Sequence, residues 1–136
     1  MIPEGAPVYS AETKGLIVRV VVSYVPQQSD PPGRFVWAYM VEVENTSEVT
    51  VQLVSRHWII TDAKGHIEEV EGPGVVGDQP VIAPGEVYNY TSGCPLPTSS
   101  GSMVGTYRMV PKLGAAFDAA IPAFSLDLPG QRRTVN

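Results

Sequence analysis

The sequence predicts an all-β fold, a two-sheet antiparallel sandwich of about seven strands. Three observations predict it. The 136 residues hold 20 Val and 7 Ile against 6 Leu; β-branched side chains fit a pleated surface, whereas Leu is the better helix former. Thirteen Gly and thirteen Pro are too many element breakers for a helix bundle. Apolar and polar residues alternate with period two over several long runs, the signature of half-buried strands. The length suits one domain, and 43% hydrophobic against 17% charged residues supplies a core rather than a disordered chain.

Each element follows in order. Residues 1–13 read as a flexible or edge-pairing arm. Over residues 14–25, Leu16, Val18, Val20, Val22 and Tyr24 share one face of a strand. Pro31-Pro32-Gly33 breaks the chain in the loop that follows. Residues 34–45 alternate most cleanly, with Phe35, Trp37, Tyr39, Val41 and Val43 on one face and Glu42 and Glu44 on the other. Asn45 to Glu48 then reads as a turn, and a hairpin is expected between the strands on either side of it. Residues 49–62 change phase: Val51, Leu53 and Ile59 lie on one face and Val54, Trp58 and Ile60 on the other, so a bulge or burial on both faces is expected. Residues 67–71 form a short strand, 72–77 a glycine-rich loop, 86–92 and 103–110 two more strands separated by a polar loop. The last strand spans about 117–128, with Pro122 at an edge or bulge; one helical turn at 115–120 is the alternative. Residues 14–128 are thus one immunoglobulin/fibronectin type III-like sandwich, and 129–136 a mobile tail. Strands this long, apolar on one face, need a second sheet to cover them.

Composition excludes several functions. Net charge is −5 and the sequence pI about 4.9, far from the basic stripe of a nucleic-acid binder. Two His and one Cys cannot assemble a zinc site of several Cys and His. The lone Cys94 cannot form an internal disulfide, which fits a reducing compartment. No run approaches the roughly 20 apolar residues of a membrane helix, and residues 1–10 lack the basic and apolar regions of a signal peptide. A cytoplasmic protein without membrane insertion is expected.

Candidate sites are few. Gly72-Pro73-Gly74-Val75-Val76-Gly77 matches G-x-G-x-x-G, but the dinucleotide chemistry of that pattern needs a helix to start at the loop. Pro80 and Pro84 remove N–H groups from any such helix. Two readings remain: a nest of backbone N–H groups for a phosphate, or glycines serving backbone geometry. Carboxylates around the loop would repel an anion, and only Arg56 or Arg108 could offset them. Glu69 and Glu71 share a strand face, Glu68 opposes them, and Asp78 follows. Glu69, Glu71 and Asp78 suit a weak Mg²⁺ site; a solvated edge that discourages strand pairing is the other reading. His57 is a general base, a metal ligand or a strand histidine hydrogen-bonded to a neighbour, and His66 a solvated turn residue. Cys94 has no base placed beside it by any motif, so a catalytic thiol is not expected.

Residues 51–62 (VQLVSRHWIITD), then EVEGPGVVG at 69–77, Gln79-Pro80, Pro84-Gly85-Glu86, Tyr88, YTSG at 90–93, Gly101-Ser102-Met103, Gly105, Tyr107 and IPAF at 121–124 resemble the ApaG family. Phe35 to Tyr39 fit its upstream strand, so the resemblance covers roughly nine-tenths of the chain. It implies a fibronectin type III-like sandwich and a bacterial cytosolic protein associated with cobalt resistance and magnesium or cobalt efflux. Similar domains in eukaryotic F-box proteins and in a DNA-polymerase-interacting protein imply a protein-binding module. A pyrophosphate proposal for the family's glycine loop would map onto Gly72, Gly74 and Gly77. The resemblance brings no catalytic residues and no cofactor. The expectation is therefore a non-enzymatic module with an unidentified protein partner and weak self-association; the alternative is a sensor of pyrophosphate, a nucleotide or a divalent cation.

Overall fold

Strict alternation gives the longest inward ridge. In β3 (Phe35–Asn45), Phe35, Trp37, Tyr39, Val41, Val43 and Asn45 are all buried. The computed structural model describes residues 7–129. β1 (Tyr9–Thr13), β2 (Leu16–Tyr24), β3 and β7 (Val87–Leu96) form one antiparallel sheet in the order β1-β2-β3-β7. β5 (Ile67–Pro73), β4 (Val51–Asp62), β8 (Gly101–Pro111) and β9 (Phe117–Leu126) form the other in that order, and the short β6 (Val81–Ile82) pairs with β4. The two apolar faces meet in one core, where Trp58 packs edge-on against Tyr39, Tyr107 and Phe124. The expected all-β sandwich is found, with nine strands among the described residues.

The two flanks of the sandwich differ. On one, β1 lies against β9: Thr13 Oγ1 accepts from the Ala120 N–H at 3.0 Å, and Tyr9 packs on Phe124. On the other, β5 and β7 border a cleft of about 280 Å³ whose walls include Tyr39, Trp58, Val70 and Cys94.

The expected bulges are present. The β4–β8 register shifts between Leu53 and Ser55, which carries the core phase from Val51 and Leu53 to Trp58. The β8–β9 register shifts between Met103↔Phe124 and Gly105↔Ile121, placing Pro122 in a bulge of an edge strand. Residues 115–120 form no helical turn; Phe117 to Ala120 are strand, with Ala119 fully buried.

Other expectations need correction. β3 and β4 do not form a hairpin across Asn45 to Glu48; they lie in opposite sheets. Buried Asn45 makes the corner. Its Nδ2 donates to the carbonyls of Val49 and Ile82, and its Oδ1 accepts from the Ser47 N–H and hydroxyl. Those bonds satisfy the backbone where the chain leaves one sheet for the other. The polar loop expected at 93–102 begins later, because β7 runs on to Leu96. Cys94 and Leu96 pair with Trp37 and Phe35 and are buried. Residue 14 is turn rather than strand: Lys14 and Gly15 both have positive φ and close the β1–β2 hairpin. Residues 1–6 of the expected arm and 130–136 of the expected tail lie outside the described residues.

Candidate functional site

The glycine loop is built around Gly74 and Arg56. Gly74 has φ +62°, and a Cβ there would sit 2.1 Å from the Asp78 carbonyl oxygen. Only glycine fits such a contact. The Gly74 N–H donates to Val54 O at 2.8 Å. Val75 and Asp78 exchange two N–H···O bonds of 2.8 Å, closing a turn with positive φ at Val76 and Gly77. The N–H groups of residues 74, 75 and 78 are thus all taken by backbone carbonyls. Arg56 Nη1 donates to the carbonyls of Pro73 at 3.0 Å and Gly74 at 2.9 Å. Gly72 lets the guanidinium approach, since a Cβ there would meet it at 3.1 Å. So Arg56 does fold back, as an anion site would need, but onto carbonyl oxygens. This geometry favours the backbone role for Gly72 and Gly74 over a phosphate nest. Arg108 is engaged elsewhere, 3.3 Å from Asp118.

The acidic cluster is differently composed from the one the sequence suggested. β4–β5 pairing sets His57 opposite Glu71 and Ile59 opposite Glu69, so the period of two puts all four on one outer face. His57 Nε2 lies 3.8 Å from a carboxylate oxygen of Glu69 and 3.8 Å from one of Glu71. That nitrogen is sealed from solvent and makes no hydrogen bond. His57, Glu69 and Glu71 can present one ligand atom each within 4.8 Å of one another. Asp78 is not part of this group; it accepts from the Tyr88 hydroxyl at 3.1 Å. His66 stays mainly exposed, as expected, with Nδ1 3.3 Å from Asp62 Oδ2.

The thiol and hydroxyls in and behind the cleft are shifted by burial. Burial pushes the Cys94 thiol up to about 11, and the Glu68 carboxylate adds to that rise; the thiol is protonated at neutral pH. Tyr39, Tyr90 and Tyr107 are all raised by burial, with the Tyr90 and Tyr107 hydroxyls hydrogen-bonded to each other.

Sequence reasoning missed the outer edge of β7. β7 ends its sheet, so among the described residues one side of its backbone has no strand beside it. The Val36 carbonyl accepts from Val25 and the Asn45 N–H donates to Glu86 O. Odd residues of β3 therefore bond toward β7, and their partners Tyr88, Tyr90, Ser92 and Cys94 bond back. Val87, Asn89, Thr91 and Gly93 turn their N–H and C=O groups to the free side. Pro95 occupies the same phase, where its missing N–H costs no ladder bond. The signal was available: no charged residue stands between Glu86 and Arg108.

Two antiparallel sheets, open along one flank, define a small β-sandwich. The ApaG domain family model matches residues 26–111. Protein ApaG of Mesorhizobium japonicum is 58% identical over 129 residues, 94% of this chain and 99% of that protein. Protein ApaG of Beijerinckia indica is 55% identical with the same coverage. The solved structure of the Bordetella pertussis protein named ApaA superposes with a TM-score of 0.82 at 50% identity, covering 85% of this chain and 95% of that one. The C-terminal domain of wzt, at 12% identity and a TM-score of 0.53, shares the fold alone. The chain belongs to the ApaG domain family.

Proposed function

We propose that the chain is a non-enzymatic protein-binding module that receives an extended segment of its partner along β7. The supporting observation is the uncharged β7 edge, where four N–H/C=O sets have no backbone partner among the described residues. Exposed edges invite strand addition, and proteins that must avoid it place charges, bulges or covers there. A photo-crosslinking side chain at Asn89, compared with one at Glu69 on β5, tests this in living cells. Discrete adducts from position 89 and none from 69 are expected. Equal adducts from both, or none from 89, would count against it.

The unpartnered His57 Nε2 favours a second reading, a divalent cation held by His57, Glu69 and Glu71. One imidazole with two carboxylates suits a cation such as Co²⁺ better than Mg²⁺, which prefers oxygen ligands alone. The association with cobalt resistance that the resemblance implies would come under this reading. Calorimetric titration with Co²⁺ should give heat that His57→Ala abolishes, with a smaller response to Mg²⁺. Silence at millimolar Co²⁺ would remove the reading.

A further inference from the structure

We infer that the segment received along β7 is a basic one, with an apolar residue and a Lys or Arg two positions apart; this rests on the reading of β7 as the docking edge. A strand added outside β7 extends the first sheet. Every second side chain of the guest then points the same way as Tyr88, Tyr90, Ser92 and Cys94, across the cleft toward the inner face of β5. That face offers two groups. Val70 is half-buried and lines the cleft, and Glu68 lines it beside Cys94, whose thiol feels its charge.

Glu68 and Val70 are two residues apart on one strand, so they are spaced as alternate residues of a guest are spaced. An apolar guest side chain opposite Val70 would enter the cleft against Tyr39, Trp58 and Ile60. Two guest positions away, the side chain meets Glu68. The one cation in the cleft wall, Arg56, is committed to the carbonyls of Pro73 and Gly74. Glu69 and Glu71 on the outer face of β5, and a net charge of −5, add to the negative potential that draws a basic segment. An acidic segment would face Glu68 without compensation.

The test uses two capped heptapeptides on the full chain, Thr-Thr-Val-Thr-Lys-Thr-Thr and the same peptide with Glu for Lys, read by fluorescence polarisation. Two variants accompany them. Glu68→Lys reverses the charge at the cleft. Thr91→Pro removes one free-side N–H without breaking a β3–β7 bond. A Lys peptide N-methylated at alternate residues reads the same backbone bonds from the guest's side, should Thr91→Pro not fold. The parent should bind the Lys peptide about fivefold more tightly than the Glu peptide, the size of one partly exposed charge pair. Glu68→Lys should invert that preference, and Thr91→Pro or N-methylation should abolish binding. Equal binding of both peptides, lost in Thr91→Pro, overturns the basic partner while strand addition stands. No binding of either peptide, binding that survives both backbone changes, or self-association through β7 in place of peptide binding overturns both.

Discussion

β5 and β7 border the same cleft and are guarded in opposite ways. Among the described residues each ends a sheet, so each leaves a row of backbone groups with no strand beside it. β5 reads Ile67-Glu68-Glu69-Val70-Glu71-Gly72-Pro73, three carboxylates in seven residues with a Gly and a Pro at its end. Both ends are tied by side chains: Arg56 holds Pro73 and Gly74, and Asp62 holds the N–H groups of Lys64 and His66 in the preceding turn. β7 is longer, at ten residues, and carries no charge. The difference shows that edge protection is applied strand by strand. An edge left bare beside one so heavily charged is where strand addition is expected.

The comparison can be broken most severely from beneath β7. Trp37 is fully buried, pairs with Cys94 of β7 and donates from Nε1 to the Asp127 carbonyl at 2.7 Å. Trp37→Ala should cost about 3–5 kcal/mol, a large share of the roughly 5–15 kcal/mol that holds a domain together. Chemical denaturation would measure it, and the variant should be largely unfolded at 37 °C. A melting temperature within a few degrees of the parent would contradict the placement of that ridge.

A smaller change breaks β5 alone. Gly74→Ala forces a Cβ against the Asp78 carbonyl at a positive φ and should cost about 1–3 kcal/mol. If the loop serves geometry, thermal melts should show this loss, and the parent should show no shift with ATP or pyrophosphate. A nucleotide shift in the parent, absent in a normally stable Gly74→Ala, would restore the ligand reading.

The smallest effect sharpens the other end of β5. Burial opposes ionisation of Asp62, but the N–H groups of His66 and Lys64 outweigh it, and its carboxyl titrates below the ordinary range. A depressed folded-state value stabilises the protein above the unfolded value near 3.9 and is lost as pH falls through the folded value. Asp62→Asn should therefore melt lower than the parent at neutral pH, and the gap should close as the pH drops below about 4. A gap constant with pH would mean that the charge plays no part.

Much of this architecture was legible in the chain because β3 and β8 present one clean apolar face each. Both bulges announced themselves, one through the phase change between Leu53 and Trp58 and one through Pro122. The hairpin wrongly expected across Asn45 shows the limit. Alternation reports which face is buried, but not which strand lies alongside, and the corner depends on long-range bonds such as Asn45 Nδ2 to Ile82 O. His57 joined Glu69 and Glu71 only through cross-strand register, whereas Asp78, in the loop beyond β5, accepts from Tyr88 instead. Cys94 was placed in a loop because Gly93 and Pro95 flank it; both lie in the free-side phase of an edge strand, where neither breaks the ladder.

Amide hydrogen exchange along β7 tests the bare edge most directly. In the free protein, Tyr88, Tyr90, Ser92 and Cys94 should exchange slowly and Val87, Asn89, Thr91 and Gly93 quickly, following the bonding alternation. Saturating the chain with the lysine heptapeptide should slow that second set while leaving Glu69 and Glu71 unchanged. Slow exchange at Asn89 and Thr91 in the free chain, or no change there on peptide binding, would contradict the role assigned to this edge.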